Sequence, residues 1–344
     1  MSPPLEEGWL AEGQTGAKRE PGRAKTQERS GMPALVSKSG KSVYVALSQF
    51  CETDDSPRRA LLDAGFSIEE NRLGRRLRQD ELVAAAGGAA AIIAGLEPYS
   101  AATLEAFPKV RCISRCGVGV DAIDLDAAHR LGIAVLNTPD EVTEPVAELT
   151  VGMMLALARN LPEYGVTLRE GNWKRHAGFL LSEWTIGLIG FGRIGRAVER
   201  CLRPFGATVV VSHPGLQQHD LPVGIKLLDL DVLLSRADLV SLHAARPVSD
   251  GPLLSKPQFD RMKPGSRLIN TARGYLVDEG ALLEALESGR LSAAALDVYE
   301  TEPYSGPLSK LPQVLCTPHI GTLTNASRRA MELKAAANVI RFLG

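Results

Sequence analysis

Short apolar runs alternate with amphipathic segments along the chain from Ser42 onward. Apolar runs bounded by Gly, Pro or Asp predict buried strands, and apolar residues spaced three or four apart predict helices. Strands that alternate with helices indicate parallel sheets with helices on both faces. The predicted strands are 43–47, 66–68, 90–94, 110–114, 133–136, 185–189, 207–212, 239–243, 267–270, 293–296 and 314–316, and the predicted helices are 56–64, 80–86, 101–107, 124–131, 141–161, 193–202, 229–237, 255–262, 278–288 and 325–343.

The strands form two groups, so the pattern predicts two α/β domains. The first domain is expected to comprise residues 42–137 together with 320–344, because the final helix is expected to cross back onto it. The second domain is expected to comprise residues 138–319. Residues 1–41 are rich in Gly, Pro, Glu, Lys and Arg, and are expected to form a disordered N-terminal extension.

The predicted helix 141–161 carries apolar residues on almost every side, so it must be buried. It lies between the two α/β units in sequence, where it can cover their junction and also meet a second subunit. We therefore expect a homodimer. The alternative is an interior helix of a monomer.

Composition narrows the classes of function. The 344 residues are 44% hydrophobic with a formal net charge of −1, so no basic field favours nucleic acid or a membrane surface. No apolar run reaches the roughly 18 residues that span a bilayer. Five cysteines without a CxxC pair indicate reduced thiols in a cytosolic protein, and the six histidines show no metal-ligand spacing, so no metal site is expected.

Three glycines stand between the strand 185–189 and the helix 193–202. In that context, Gly190 permits a tight turn, Gly192 lets the backbone approach a pyrophosphate, and Gly195 allows close helix–strand packing. The helix N-terminus then offers N–H groups and partial positive charge to phosphates. The turn therefore predicts a dinucleotide site, and the alternative is a glycine-rich turn that binds nothing.

The end of the next strand departs from this pattern. An acidic residue is expected there to hold the ribose hydroxyls, but Ser212 and His213 occupy the position. No carboxylate repels a 2′-phosphate, and no arginine follows directly to bind one. The choice between NAD and NADP is therefore open, and we hypothesise that His213 or Arg246 approaches the adenosine 2′ position.

Five motifs resemble those of the D-isomer-specific 2-hydroxyacid dehydrogenase family, over about residues 42–344. They are Arg115–Asp121 (RCGVGVD), Gly190–Gly195, Met262–Gly265 (MKPG), Asn270–Gly274 (NTARG) with Asp278–Leu282, and Asp297–Pro303 (DVYETEP) followed by Pro318–Gly321. The resemblance implies a flavodoxin-like substrate domain and a Rossmann coenzyme domain, both doubly wound parallel sheets. It also implies an active site in the interdomain cleft and dimerisation through the coenzyme domain.

The resemblance further implies roles for individual residues. Arg273, Glu302 and His319 fill the family's catalytic positions, and Glu302 rather than Glu300 is the catalytic carboxylate. The residues expected to contact NAD or NADP are Gly190, Gly192, Arg193, Ile194, Gly195, Ser212, His213, Thr271, Ala272, Arg273, Asp297, His319 and Gly321. Those expected to bind substrate are Cys116, Gly117, Val118, Gly119 and Arg273.

The residue types agree with these implications. Reduction of a 2-keto acid requires a hydride at the carbonyl carbon and a proton at its oxygen. Arg273 can bind the carboxylate with two N–H groups and polarise the carbonyl. His319 can supply the proton, and Glu302 would favour the charged imidazolium and fix its orientation. Backbone N–H groups of residues 117–119 can form a nest for the same carboxylate.

Two functions remain open. The first is hydride transfer between NAD(P)H and a small 2-keto acid or D-2-hydroxy acid of the glyoxylate, hydroxypyruvate or 3-phosphoglycerate type. The alternative is a non-enzymatic, NAD(H)-sensing interaction protein like the family's corepressors, which keep the same three residues. The sequence shows no clear extra basic cluster for a phosphate beyond Lys174, Arg175 and Arg115, which favours an unphosphorylated acid. A formate dehydrogenase is disfavoured because that branch pairs its histidine with glutamine.

Overall fold

The computed structural model describes residues 41–173, 175–244 and 251–344. The expected N-terminal extension, apart from Lys41, lies outside the described residues, and so do Lys174 and Arg246. The described chain divides into two compact units. The first unit is Thr143–Thr322, and we call it the coenzyme unit because it contains the glycine turn expected to bind a dinucleotide; the second unit comprises residues 41–142 and Leu323–Gly344.

Strands and helices alternate through both units. The strands are β1 Ser42–Val45, β2 Ser67–Glu70, β3 Ala91–Ala94, β4 Cys112–Arg115, β5 Ala134–Leu136, β6 Thr185–Ile189, β7 Thr208–Ser212, β8 Lys226–Leu227, β9 Leu239–Leu242, β10 Ser266–Asn270, β11 Leu291–Leu296 and β12 Val314–Cys316. The helices are α1 Ser56–Asp63, α2 Gln79–Ala86, α3 Ala101–Glu105, α4 Leu125–Arg130, α5 Thr143–Ala158, α6 Leu161–Arg169, α7 Arg193–Leu202, α8 Leu230–Arg236, α9 Lys256–Arg261, α10 Glu279–Glu287 and α11 Asn325–Leu343.

The second unit is built on a parallel sheet of order β2-β1-β3-β4-β5. This is the flavodoxin-like order of doubly wound folds. Ser100 and Asp124 cap the N-termini of α3 and α4 by accepting hydrogen bonds from backbone N–H groups, as N-cap residues do. The final helix, α11, packs on α1, β3 and β4.

The coenzyme unit is built on a parallel sheet of order β12-β11-β10-β9-β6-β7-β8. Counted from β6, this is the Rossmann order extended by one strand. The order in which successive strands are added reverses between the parallel neighbours β6 and β9, where Ile186 lies opposite Leu239. In such sheets a ligand binds outside the carboxyl ends of the two strands at this switch point.

The helix expected at 141–161 is shorter than predicted. Helix α5 ends at Ala158, and Asn160 adopts a left-handed backbone conformation with φ 51° before α6 begins at Leu161. The residues of α5 that are buried include Val146, Met153, Met154 and Leu157, which confirms that this helix is largely interior. By contrast, α6 has no buried residue within its described length.

The expected fold class, two doubly wound parallel α/β domains, is confirmed by the two sheets. The other predicted elements differ from the observed ones by at most two residues at either end. Helix α6 and strand β8 were not predicted. Lys226 and Leu227 of β8 are too few to show a periodic pattern, and α6 has no buried face that would impose one. Within the described residues, no helix is long and apolar enough to cross a membrane.

Candidate active site

The glycine turn lies at the switch point of the coenzyme sheet. Gly190 has φ +94°, a conformation that glycine adopts without steric cost. A Cβ on Gly190 would lie 2.5 Å from the carbonyl of His243, the residue after β9. A Cβ on Gly195 would lie 2.5 Å from the carbonyl oxygen of Gly190. Both positions therefore require glycine, and they hold helix α7 close to the strand ends.

Gly192 differs from the other two glycines. No atom of the described residues lies within 4 Å of a Cβ placed on it, and its φ of −75° suits any residue. The protein itself therefore does not require glycine here, which fits the expectation that a ligand backbone approaches it. Gly192 precedes α7, so Arg193 and Ile194 lie in the first turn, where N–H groups can meet phosphates.

The carboxyl end of β7 lies beside the glycine turn. Ser212 ends β7, and its carbonyl accepts a hydrogen bond of 2.9 Å from the N–H of Gly190. His213 follows, and its Nδ1 accepts a hydrogen bond of 3.1 Å from the N–H of Gly215. The pKa of His213 is lowered by desolvation and by the positive charge of Arg196. Sequence reasoning did not single out Arg196, because it lies on a helix rather than after a strand.

The strand ends that carry the remaining candidates lie side by side. Asn270 of β10 is in register with Leu296 of β11, which is in register with Cys316 of β12. Arg273, Asp297 and His319 each follow one of these residues by one to three positions. The three parallel strands thus bring these side chains to one edge of the sheet.

The loop after β10 packs tightly against the loop after β11 at Gly274. A Cβ on Gly274 would lie 1.9 Å from the carbonyl carbon of Tyr299, so no other residue fits without movement of the backbone. The Asn270 side chain holds the start of the same loop, accepting from the N–H of Ala272 at 3.0 Å and donating to the carbonyl of Arg273 at 2.7 Å. Arg273 is consequently held beside the loop that carries Glu302.

Glu302 and His319 form a hydrogen-bonded ion pair. Nδ1 of His319 lies 2.8 Å from Oε2 and 3.1 Å from Oε1 of Glu302. The Glu302 carboxylate also accepts a hydrogen bond of 3.2 Å from the N–H of Tyr299. Both side chains are only partly exposed, at 35% for His319 and 25% for Glu302. With Nδ1 engaged, Nε2 is the ring nitrogen that remains for exchange with a ligand.

Asp297 fixes the backbone around His319. Its buried carboxylate accepts hydrogen bonds from Thr317 Oγ1 at 2.6 Å, from the N–H of Ile320 at 2.8 Å and from the N–H of Gly321 at 2.8 Å. Burial raises the pKa of Asp297, and these hydrogen bonds oppose the rise. His319 itself has φ 55°, a strained conformation that persists only where its surroundings hold it. Asp297 therefore positions the histidine.

Thr271 and Ala272 follow β10 beside Arg273. Thr271 is buried, and its hydroxyl lies 2.9 Å from that of Thr150 on α5. Because Thr150 donates to the carbonyl of Val146, the Thr271 hydroxyl is the donor in this contact. The backbone at Thr271 is thus anchored to α5, while Ala272 accepts a hydrogen bond of 2.8 Å from Nη1 of Arg273.

The predicted substrate nest lies in the second unit, directly after β4. Cys116 is buried, and the N–H of Gly117 donates to Thr138 Oγ1 at 2.8 Å. The expectation that Gly117 presents a bare N–H is therefore wrong, because Thr138 already accepts its hydrogen. The carbonyl of Val118 accepts from Nδ2 of Asn137 at 2.9 Å. Of the three backbone N–H groups expected to form the nest, those of Val118 and Gly119 are still candidates for binding the substrate carboxylate.

No group of three or more His, Cys, Asp or Glu side chains in the described part of the chain is arranged to hold a metal ion. Sequence reasoning included Asn270 and Gly274 in the NTARG motif but did not assign either residue its positioning role. Their signals were weak. An asparagine that ends a strand and a glycine that follows Arg273 are both common in loops.

The sequence and the fold of this chain are both similar to those of known proteins. Residues 151–321 match the sequence model described as D-isomer specific 2-hydroxyacid dehydrogenase, NAD binding domain. The hydroxypyruvate reductase of Thermotoga maritima is 37% identical over 259 residues, which cover 74% of this chain and 84% of that protein. The D-lactate dehydrogenase of Aquifex aeolicus, solved with NAD and lactic acid, superposes with a TM-score of 0.76 at 27% identity, covering 88% of this chain and 95% of that one.

A further relative is longer than this chain. The D-3-phosphoglycerate dehydrogenase of Mycobacterium tuberculosis H37Rv is 39% identical over 251 residues, which cover 72% of this chain but only 48% of that protein. The chain thus spans about half the length of such relatives.

The Rossmann sheet and the glycine turn define a nicotinamide dinucleotide-binding α/β protein. More closely, the chain belongs to the D-isomer specific 2-hydroxyacid dehydrogenase family, as its motifs predicted.

Proposed function

We propose that this protein is an NAD(P)-dependent D-2-hydroxyacid dehydrogenase that reduces a small 2-keto acid. The observation that carries the proposal is the His319–Glu302 pair, with its 2.8 Å hydrogen bond, at the same sheet edge as Arg273 and the glycine turn. An imidazole held by a carboxylate beside a guanidinium is suited to protonating a carbonyl next to a carboxylate.

The residues at the turn fit the coenzyme. Gly190 and Gly195 hold the turn closed against His243, while the space beside Gly192 accommodates a pyrophosphate. Arg193 and Ile194 in the first turn of α7, and Thr271 and Ala272 after β10, would line its path. When bound, the nicotinamide coenzyme supplies the hydride.

Three side chains would bind the substrate, transfer the proton and orient the proton donor. Arg273 binds the substrate carboxylate with its planar fork and so fixes which face of the carbonyl is presented. His319 donates a proton from Nε2 to the carbonyl oxygen during reduction and accepts it during oxidation. Glu302 holds Nδ1 and stabilises the imidazolium, while Asp297 keeps the backbone of His319 in its strained conformation.

The substrate is proposed to be an unphosphorylated acid such as hydroxypyruvate or glyoxylate. Relatives named hydroxypyruvate reductase and glyoxylate reductase match over 84% and 76% of their lengths, whereas a relative named D-3-phosphoglycerate dehydrogenase matches over 48% of its length. The basic residue Arg115, expected near the substrate, hydrogen-bonds the carbonyl of the adjacent Cys116.

The test is a panel of 2-keto acids assayed with NADH and with NADPH, read as loss of nicotinamide absorbance. We expect turnover with hydroxypyruvate or glyoxylate, and loss of turnover in His319→Gln without loss of coenzyme binding. Coenzyme binding without turnover of any acid would contradict the proposal and favour an interaction protein that senses the coenzyme.

We further propose that the protein is a homodimer. Several large apolar side chains of residues 161–180 are exposed: Leu161, Val166, Leu168, Trp173, Phe179 and Leu180. Such a concentration of exposed apolar side chains is typical of an interaction surface. It lies in the coenzyme unit but after α5, so the proposed contact is α6 and the segment that follows it rather than α5.

A further inference from the structure

The coenzyme unit lacks the acidic residue that dinucleotide-binding sheets place at the end of their second strand. That carboxylate accepts the ribose hydroxyls of NAD and repels a 2′-phosphate. Here Ser212 ends β7 and His213 follows it, so neither residue carries a negative charge. The position is therefore compatible with an anion on the ribose.

The orientation of His213 makes it a hydrogen-bond donor. Its Nδ1 accepts from the N–H of Gly215 at 3.1 Å, so Nδ1 carries no hydrogen. In the neutral ring the hydrogen must then be on Nε2. An Nε2–H group donates to phosphate oxygens, and this tautomer needs no protonation to do so.

Arg196 supplies positive charge from the second turn of α7. Its guanidinium carbon lies 4.7 Å from the centre of the Phe191 ring, so the side chain is held by a cation–π contact. Its Nη2 is buried and has no hydrogen-bond partner among the described residues. Buried charged donors are almost always paired, because an unpaired one is costly. Phe191 follows β6 by two residues and His213 follows β7 by one, and the ends of these strands are paired, with Ile189 in register with Ser212. Arg196 and His213 therefore belong to the same edge of the sheet, and the positive charge of Arg196 contributes to lowering the pKa of His213.

We propose that Arg196 and His213 together bind the 2′-phosphate of NADPH, so that this protein prefers the phosphorylated coenzyme. A dianionic phosphate satisfies the buried Nη2 of Arg196 and accepts from Nε2 of His213. The inference rests on the proposed function only in taking the glycine turn as the coenzyme site. It assigns to Arg196, which lies before β7 in sequence, the role usually given to an arginine near that strand end.

The experiment compares two coenzyme fragments by calorimetry, with no substrate present. Adenosine 2′,5′-bisphosphate carries the 2′-phosphate, and adenosine 5′-monophosphate lacks it. We expect the wild-type protein to bind the bisphosphate about 10- to 100-fold more tightly, the range for charge-assisted hydrogen bonds. Arg196→Gln should lose most of this preference. Arg200→Gln is the matched control, because Arg200 lies one turn further along α7 and pairs with Glu144.

A second substitution tests the same site from the other side. His213→Asp places a carboxylate at the end of β7, so it should reverse the preference in favour of adenosine 5′-monophosphate and NADH. Equal binding of the two fragments by the wild-type protein would overturn the inference. So would an equal response of Arg196→Gln and Arg200→Gln.

Failure of this inference is distinguishable from failure of the proposed function. Reduction of a 2-keto acid with NADH alone, with no fragment preference, would leave the dehydrogenase in place and remove the phosphate site. A preference for adenosine 2′,5′-bisphosphate that depends on Arg196, with no turnover of any acid, would support the phosphate site and contradict the dehydrogenase function.

Discussion

The imidazole of His319 is held through Nδ1 by the carboxylate of Glu302 at 2.8 Å. The two residues are 17 positions apart and lie on loops that follow different strands, β11 and β12. The loop of Glu302 is fixed by the contact of Gly274 with Tyr299, and the loop of His319 is fixed by Asp297. The geometry of the pair therefore depends on two separate sets of contacts, one for each loop.

Glu302→Gln tests the electrostatic part of this pair. The amide keeps the size of the side chain but removes its charge, so the imidazolium loses stabilisation. We expect kcat for 2-keto acid reduction to fall about 10- to 100-fold. Glu300→Gln is the control, because Glu300 is exposed and two residues away. An unchanged kcat in Glu302→Gln would contradict the assigned role.

Gly192→Ala and Gly195→Ala separate ligand binding from folding. Open space surrounds Gly192 within the described chain, so its alanine variant should melt within about 2 °C of wild type. Its coenzyme affinity should nevertheless fall about tenfold or more, because the methyl group occupies the path of the pyrophosphate. Gly195→Ala, whose Cβ would lie 2.5 Å from the Gly190 carbonyl oxygen, should lose about 1–3 kcal/mol of stability. Melting curves and coenzyme titrations on both variants check this, and unchanged coenzyme affinity in Gly192→Ala would contradict it.

Gly274→Ala should destabilise the coenzyme unit and disturb catalysis together. Its Cβ would overlap the carbonyl of Tyr299, and the backbone cannot yield without moving the loop that carries Glu302. We expect a loss of about 3 kcal/mol in the free energy of unfolding. Gly280→Ala in α10, where a Cβ meets only Asp278 Oδ1 at 3.4 Å, should be neutral or stabilising by up to about 1 kcal/mol. Equal unfolding midpoints for the two variants in urea would show that the contact with Tyr299 is unimportant.

His243 should make the fold sensitive to acid. Desolvation lowers the pKa of His243 from 6.5 to about 3, and its Nε2 lies 2.9 Å from Ser241 Oγ. Between these pH values the unfolded chain binds a proton that the folded chain does not, so stability is full above 6.5 and falls as the pH drops towards 3. The loss at pH 5 should be on the order of 2 kcal/mol.

His243→Asn should remove that part of the pH dependence. The measurement is the difference in unfolding free energy between pH 7 and pH 5 for the variant and for wild type. His129→Asn is the control, because His129 lies on α4 of the other unit. Identical pH dependence in all three proteins would show that His243 does not contribute.

Leu168→Glu should disrupt the proposed dimer. Leu168 is 59% exposed on α6, and a charge there would be desolvated in any apolar interface. Light scattering should give a mass of twice the chain's 36.8 kDa for wild type and a single-chain mass for the variant at low concentration. Leu62→Glu on α1, where the leucine is 53% exposed, should leave the mass unchanged. A wild-type protein of single-chain mass would rule out the dimer.

Local patterns were sufficient for most elements of the fold. Burial on one or both faces imposes a period on apolar residues, so most predicted strands and helices agree with the observed ones to within two residues at each end. Helix α6 and strand β8 were not predicted. Helix α5 is an instructive exception. Its apolar residues continue past Ala158 to Leu161, but the left-handed backbone of Asn160 interrupts the helix. Apolar pattern alone does not report such a break, since asparagine is tolerated in both conformations.

The polar candidates at strand ends could also be proposed from sequence, because parallel strands bring their carboxyl ends to one edge. The contacts that orient them could not. Gly117 was expected to offer its N–H to a substrate, yet Thr138, 21 positions away, accepts that hydrogen. Arg196 was overlooked, because its contact with the Phe191 ring and its buried Nη2 depend on packing that the helical pattern does not show.

The sequence by itself determined the order of strands and helices, the glycine turn and the residue types available for chemistry. These follow from local periodicity and from the conformational freedom of single residues. Only the tertiary structure decided that Gly274 must contact Tyr299, that Asp297 holds the His319 turn, and that Arg196 keeps a buried Nη2 without a partner among the described residues. Such relationships depend on packing between segments distant in sequence, and no local pattern encodes a distance across the fold.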